Sequence, residues 1–179
     1  AMDRARIVAE VVRVHAGVDR RVTALLARLD TELLCARNCT GCCVDELTVF
    51  EVEADRIRSW AEDRLRGEEP GRAGGCAFLD REGRCRVYEA RPYVCRTQGL
   101  PLRWLDEATD GRTEQRDICP LNRPVLDPAV LGEEFCWTLG PWEDRLAGLQ
   151  VAAQAAEGFV PPRRVALRDL FTELARCSG

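Results

Sequence analysis

Apolar residues recur with the spacing of an amphipathic helix at the start of the chain. From Asp3 to about Arg37 they are separated by three or four residues, which places them on one helical face. The positions are Ile7, Val11, Val14, Val18, Val22, Leu25, Leu29 and Leu33. The pattern predicts one long helix that leads directly into the segment CARNCTGCC, which begins at Cys35.

The centre of the chain alternates between short elements and loops. The stretch VDELTVF alternates briefly, and EVEADRIRSWAEDRLRG predicts a second helix that ends at Gly67. The run GEEPGRAGG is a loop by composition. The segment CAFLDREGRCRVY predicts a tight hairpin that turns at Arg81-Glu82-Gly83 and carries a cysteine on each arm. Pro92 then suits the first position of a helical turn that carries Cys95.

The second half of the chain predicts another hairpin and then helices. The segment LPLRWLDEATDGRTEQRDIC predicts a hairpin that turns at Asp110-Gly111. Beyond it, one helix opens at Asp127-Pro128, another runs from Pro141 through Glu157, and PPRRVALRDLFTELAR forms the last.

These elements predict a single domain over residues 1–179. Its fold class is mainly α with a small β-hairpin region, in which a helical bundle forms the scaffold around a cysteine-ligated metal site. The cysteine-cluster core spans residues 35–119. The N-terminal helix, residues 3–34, and the C-terminal helices, residues 127–176, flank this core.

Composition excludes several kinds of chemistry. The chain has no lysine and one histidine, His15, so Schiff-base chemistry, serine-histidine triads and multi-histidine zinc sites are not expected. A net charge of −4 gives no general attraction for nucleic acid or anionic membranes. At 179 residues the domain can bury a core without covalent staples, so its ten cysteines point to chemistry carried by thiolates.

The expected compartment is the cytoplasm. No run approaches the roughly 20 apolar residues of a membrane span, and the N-terminus lacks the pattern of a cleaved signal peptide. In a reducing compartment, clustered cysteines more often bind metal or perform redox reactions than form structural disulfides.

Eight cysteines are predicted to bind metal. Cys39 and Cys42 have the spacing of a knuckle that points two sulfurs at one ion, and a distant hairpin normally completes such a site. The neighbours Cys42 and Cys43 suit two centres, or a polynuclear cluster with bridging sulfurs, better than one ion. The predicted metal ligands are Cys35, Cys39, Cys42, Cys43, Cys76, Cys85, Cys95 and Cys119.

Other interpretations of the cysteines have less support. Disulfides would require an exported protein. A thioredoxin-like redox pair at Cys39 and Cys42 would require a preceding strand, but a helix is expected there. Cys136 and Cys177, each isolated, are predicted to be small buried apolar residues rather than ligands.

Arginines near the predicted ligands could offset thiolate charge by hydrogen bonding to sulfur. We predict Arg91 and Arg96 as the residues that contact the cofactor in this way. Three further arginines lie close enough to be considered: Arg37, Arg84 and Arg86.

The two cysteine-rich blocks resemble a known family. CARNCTGCC, the sequence Gly83-x-Cys85-x-Val87-Tyr88-x-x-Arg91-Pro92-x-x-Cys95-Arg96 and a later cysteine in DICP are similar to the bacterial CxxCxxCC domain, also called the YkgJ-type cysteine cluster proteins. Three residues separate the first two cysteines here, where the family often has two. The resemblance implies a zinc- or iron-chelating domain. Members are often labelled iron–sulfur proteins, and a relative that methylates flagellin lysines is associated with such a cluster.

The resemblance and the cysteine spacing together predict a protein that holds an iron–sulfur cluster or zinc, in a redox or metal-handling role. Metal ions are the expected partners, with no nucleic acid or membrane. One alternative is an enzyme that uses the cluster for methyl or electron transfer. Another is a structural zinc module that presents helices to a protein partner.

Overall fold

The computed structural model describes residues 3–35, 39–108, 111–158 and 160–176. Its helices are α1 (Arg4–Leu26), α2 (Glu51–Ala61), α3 (Tyr93–Arg96), α4 (Pro141–Ala153) and α5 (Leu167–Arg176). Its strands are β1 (Thr48–Phe50), β2 (Leu102–Ala108), β3 (Gly111–Asp117), β4 (Trp137–Thr138) and β5 (Arg164–Ala166). The domain is therefore mixed α/β with two small sheets, and a mainly helical bundle is not confirmed.

Both sheets are built from short strands. Strands β2 and β3 form the predicted hairpin, with Ala108 opposite Gly111, and β4 pairs parallel to β2. Residues 109–110, where that hairpin turns, lie outside the described residues. Strands β1 and β5 pair antiparallel, with Val49 opposite Val165. The predicted last helix was therefore wrong at its start, because residues 164–166 complete this sheet and only then does α5 begin.

Helix α1 is shorter than the apolar pattern predicts. Its start is set by Asp3, whose carboxylate accepts a hydrogen bond from the Ala5 amide. It ends at Leu26 although apolar residues continue to Leu33 with helical spacing. The Leu34 amide donates a 2.7 Å hydrogen bond to the side chain of Asn122, so this part of the chain is held in a loop by a tertiary contact. A continued helix would be incompatible with that contact.

Two further predicted elements differ from the structure. The segment from Cys76 to Cys85 does turn near Gly83, but it has one antiparallel bridge, between Leu79 and Cys85, in place of two strands. The helix predicted at residues 127–128 is wrong, because only a turn and the 3-10 helix Glu133–Phe135 follow.

The buried apolar residues form two clusters that lie on either side of α2. One cluster joins α2, α5 and the segment around Phe78, whose ring meets that of Phe171 edge to face at 5.4 Å. The other joins α1, α4 and the region of Tyr93, whose hydroxyl accepts a 2.8 Å hydrogen bond from Trp137. Cys43, Cys76 and Cys85 belong to the first cluster, so that side of the cysteine region is part of the protein core.

A buried polar network connects α1, α2 and α3. Glu53 accepts hydrogen bonds of 2.8 Å from both His15 Nε2 and the Tyr93 amide. Arg56 contacts His15 Nδ1, and because a guanidinium only donates, Nδ1 is the acceptor and His15 is neutral. Burial lowers the pKa of His15, and the charges of Arg96 and Arg56 act in the same direction, although the hydrogen bond to Glu53 opposes the shift.

Acidification should therefore destabilise the fold through His15. Its pKa is lower in the folded protein than in the unfolded chain, so below about pH 6.5 the unfolded chain binds the extra proton more readily. We expect the urea midpoint to fall as the pH decreases from 7 through the folded-state pKa. The variant His15→Gln should show a weaker dependence over this interval. Parallel pH profiles for the two proteins would contradict this assignment.

Candidate metal centre

The predicted cysteine ligands come from four separate parts of the chain. Cys39, Cys42 and Cys43 lie in a turn in which the Cys43 amide donates to the Thr40 carbonyl at 2.9 Å. Cys76 and Cys85 flank the second turn, Cys95 lies on α3, and Cys119 follows β3. All nine cysteines in the described part of the chain are free thiols.

Asn122 places Cys35 beside the loop of Cys119. It is fully buried, its own amide donates to the Cys119 carbonyl at 2.8 Å, and its side-chain amide donates to Cys35 Sγ at 3.2 Å. The same amide also donates to the Gly99 carbonyl at 2.8 Å. Asn122 was not predicted from the sequence. The only signal for it was its position three residues after Cys119.

Cys35 also lies within electrostatic range of three other thiols. Burial raises its pKa, the hydrogen bond from Asn122 lowers it, and the neighbouring thiols of Cys119, Cys39 and Cys42 raise it again. Cys35 therefore lies near the other thiols, although three residues rather than two separate it from Cys39.

Backbone pairing brings a second set of cysteines together. The Cys76 amide donates to the Cys43 carbonyl at 2.9 Å, and Val44 forms a bridge with Gly75. The bridge between Leu79 and Cys85 then folds the second turn back on the first. These contacts place Cys43, Cys76 and Cys85 at the edge of the Phe78 cluster.

Cys95 faces the same set. Burial, together with the neighbouring thiols of Cys76 and Cys85, raises the pKa of Cys95 to about 12. Cys43 likewise lies within range of Cys76 and Cys95. Without a cation, these thiols are therefore neutral at physiological pH, and a bound metal would have to displace their protons.

Cys42 and Cys43 contact each other through their side chains. Because the Cys43 thiol donates to Cys42, the pKa of Cys42 is lowered to about 6, while that of Cys43 is raised. The backbone at this pair is not extended, because Gly41 and Cys42 form a turn. Cys42 and Cys43 therefore connect the thiols near Cys35 with the thiols near Cys76.

The thiols are near one another without forming a completed coordination site. Among residues 3–35, 39–108, 111–158 and 160–176, no group of three or more cysteine, histidine, aspartate or glutamate side chains has the arrangement of a metal site. The donor set itself fits zinc or iron, since soft thiolates are preferred ligands of both. A metal would be held by thiolates, with the Asn122 amide as a hydrogen-bond donor to one of them.

A cation from α5 holds the loops of Cys43 and Cys76. Arg168 forms an ion pair with Asp45 and donates to the carbonyls of Gly71, Arg72 and Gly75 at 3.0 to 3.3 Å. Burial and the carboxylate of Asp45 raise the pKa of Cys76, and the charge of Arg168 opposes them only in part. Arg168 was missed in the sequence because it lies more than 90 residues from these loops.

The two predicted cofactor-contacting arginines have different surroundings. Arg91 lies over the Tyr88 ring at 4.0 Å, and its charge lowers the pKa of Cys85, although burial raises that pKa more. Arg96 is buried, and its guanidinium donates to Asp19 and to the backbone carbonyls of Arg91 and Glu89. Arg96 thus links α1 to α3.

The remaining candidates lie elsewhere. Cys136 is buried, as predicted, within range of Arg116, Arg103 and Glu114. Arg84 pairs with Asp80 and Glu82, and Arg86 donates to the Glu69 carbonyl. Arg37 and Cys177 lie outside the described residues.

An open cleft borders the buried side of the cysteine region. Its volume is about 770 Å³, and it is lined by Cys43, the glycine-rich loop from Gly71 to Gly75, and the charged side chains of Arg72 and Asp80. A reagent from solvent can therefore approach Cys43 from this side.

Free thiols from separated loops, held on a small mixed α/β frame, define a cysteine-cluster domain. Residues 34–120 match the CxxCxxCC family, described as "Putative zinc- or iron-chelating domain". The matched segment covers 87 of the 179 residues, slightly less than half of the chain, and is similar to this family. No curated protein and no solved structure matches the chain. Within the described residues, no helix is both long and apolar enough to span a membrane.

Replacing Asn122 should weaken metal binding near Cys35. In Asn122→Asp the side chain still accepts from Leu34 but no longer donates to Cys35 Sγ or to the Gly99 carbonyl. Loss of an outer-shell donor typically weakens metal binding by about 10- to 100-fold, and we expect a loss of that size in competition with a chelator.

Gln150→Glu provides a matched control. It makes the same amide-to-carboxylate change at a buried side chain that accepts from the Val52 amide, far along the chain from the cysteines. This control should lose stability and keep the metal affinity of the native protein. Equal metal affinities for Asn122→Asp and the native chain would contradict the role assigned to Asn122.

Proposed function

We propose that this protein binds zinc or iron through its central cysteines, with iron held as an iron–sulfur centre, and serves in electron transfer or metal handling. The observation that carries the proposal is that contacts between separate segments bring cysteines together as free thiols: Asn122 connects Cys35 with the loop of Cys119, and the Cys76 amide binds the Cys43 carbonyl. The proposed ligands are Cys35, Cys39, Cys42, Cys43, Cys76, Cys85, Cys95 and Cys119.

The surroundings of the thiols support a negatively charged metal–thiolate site. Burial raises the pKa of both Cys76 and Cys85; the charge of Arg91 favours the thiolate form of Cys85, and that of Arg168 offsets part of the effect of Asp45 on Cys76. Asn122 donates a hydrogen bond to Cys35 Sγ. Donors and positive charges around sulfur compensate the charge that remains after thiolates bind a metal, and they tune its redox potential where the metal is iron.

Anaerobic purification with metal and sulfide analysis tests this function. A brown protein that contains iron and sulfide supports an iron–sulfur centre, whereas a colourless protein with stoichiometric zinc supports the zinc form. Cys136→Ser is the control, since Cys136 is a buried cysteine beside Arg116 and Arg103 and is not among the proposed ligands, and it should keep the native metal content. A folded chain that takes up neither metal would overturn the proposal.

A structural role for the metal is a second candidate function, favoured by the burial of part of the cysteine region. Cys43, Cys76 and Cys85 pack with Phe78 and Phe171, so a metal there would also hold core elements together. Redox titration of the loaded protein separates the two roles. A centre with no accessible couple, whose removal abolishes folding, supports the structural role.

A further inference from the structure

We infer that the eight cysteines form two adjacent metal centres that divide at the peptide bond between Cys42 and Cys43. The outer set is Cys35, Cys39, Cys42 and Cys119, and the inner set is Cys43, Cys76, Cys85 and Cys95. This inference rests on the proposed metal-binding function and specifies its ligands.

The outer set is defined by contacts around Asn122. The side chain of Asn122 donates to Cys35 Sγ and its backbone amide donates to the Cys119 carbonyl, which brings Cys35 beside the backbone of Cys119. Cys39 and Cys42 are the other thiols within range of Cys35. Cys35 and Cys39 are exposed, so this set lies at the protein surface.

The inner set is defined by backbone pairing and by the core. The Cys76 amide binds the Cys43 carbonyl, and the Leu79 bridge to Cys85 brings the next arm alongside. Three of the four thiols pack against the Phe78 cluster. Cys95 follows Val94, which packs against the same cluster, and it lies within range of Cys76 and Cys85.

Cys42 and Cys43 connect the two sets. Their side chains contact each other, and Cys42 also lies within range of Cys95, so the two centres would be neighbours. Without Cys42 the outer set has only three sulfurs, whereas the inner set already has four, so we assign Cys42 to the outer set. Four cysteines suffice for a tetrahedral ion or an iron–sulfur cluster, and each thiol releases its proton to solvent when it binds.

Zinc titration of the apoprotein with a chromophoric chelator as competitor tests this division. The native chain should bind two equivalents, and Cys119→Ser or Cys85→Ser should each bind half as much. Cys42→Ser should behave as Cys119→Ser does, and Cys43→Ser as Cys85→Ser does. Two substitutions in the same set should remove no more metal than one, whereas one in each set should remove all of it.

Three outcomes would count against the inference in different ways. A native chain that binds no metal contradicts the proposed function as well. A single substitution that abolishes all binding, with the fold retained, indicates one shared cluster and overturns the division alone. If the inner-set variants fail to fold, anomalous scattering from a crystal of the loaded native chain decides. Two peaks, each bonded to the four sulfurs of one set, are expected, and mixed ligands would overturn the division.

Discussion

Removal of the metal with a chelator under reducing conditions should unfold most of residues 34–120. Structural zinc sites contribute about 10 to 16 kcal/mol of apparent binding free energy, comparable to or larger than the roughly 5 to 15 kcal/mol that stabilises a whole domain. Regular secondary structure gives the cysteine loops little support, because α3 is the only α-helix between Ala61 and β2 and has four residues. The contacts of Arg168 and the Phe78 cluster stabilise only part of this region. We expect a fall in the melting temperature of more than 20 °C, since each kcal/mol corresponds to about 2 to 4 °C at this size.

Hydrogen exchange would show where the loss occurs. Helices α1 and α4 pack with each other around Val11, Val18 and Leu146, apart from the cysteine loops, and should keep part of their protection. The Cys76 amide, which is bonded to the Cys43 carbonyl, should lose its protection. Addition of zinc to the chelated protein should restore it. Identical melting curves before and after chelation would contradict a stabilising metal.

The local elements that the sequence predicted correctly are those with strong local signals. Helix α2 begins at Glu51 as expected but ends at Ala61 rather than at the predicted Gly67. Pro141 opens α4, which ends at Ala153 rather than at the predicted Glu157. The hairpin of β2 and β3 was predicted from the Asp110-Gly111 turn sequence. The errors lie where a tertiary contact overrides the local pattern. Leu34 is held by Asn122 in a loop, although the apolar spacing before it continues that of a helix.

The site was predictable in its chemistry and not in its arrangement. Cysteine spacing indicates metal binding because few other uses require so many thiols in a reducing compartment. Spacing gives no distances between loops, so one cluster and two centres were equally compatible with it. The contacts of Asn122 with Cys35 and of Cys76 with Cys43 favour the two sets that we propose. Asn122 and Arg168 are single polar residues without a motif, and only the folded chain shows what they contact.

Replacement of Gly99 by alanine should destabilise the protein and disrupt the outer set. Gly99 has a φ of 85°, a conformation that costs an L-residue roughly 1 to 2 kcal/mol. A methyl group there would also lie 2.6 Å from Cys35 Sγ. Overpacking of a buried site typically costs about 1 to 3 kcal/mol more, so we expect a total loss of roughly 3 kcal/mol. Because Cys35 must move, the zinc content should also fall to about half.

Gly67→Ala is a control that measures the free-energy cost of placing alanine at a positive φ without any contact with a cysteine sulfur. Gly67 has a φ of 72°, and a methyl group there would meet nothing within 4 Å. It should therefore lose only roughly 1 to 2 kcal/mol and keep its full zinc content. Urea unfolding and zinc analysis of the two variants would measure both effects. If Gly99→Ala binds as much zinc as Gly67→Ala does, Cys35 is not held against Gly99 in the metal-loaded protein, and its place in the outer set is wrong.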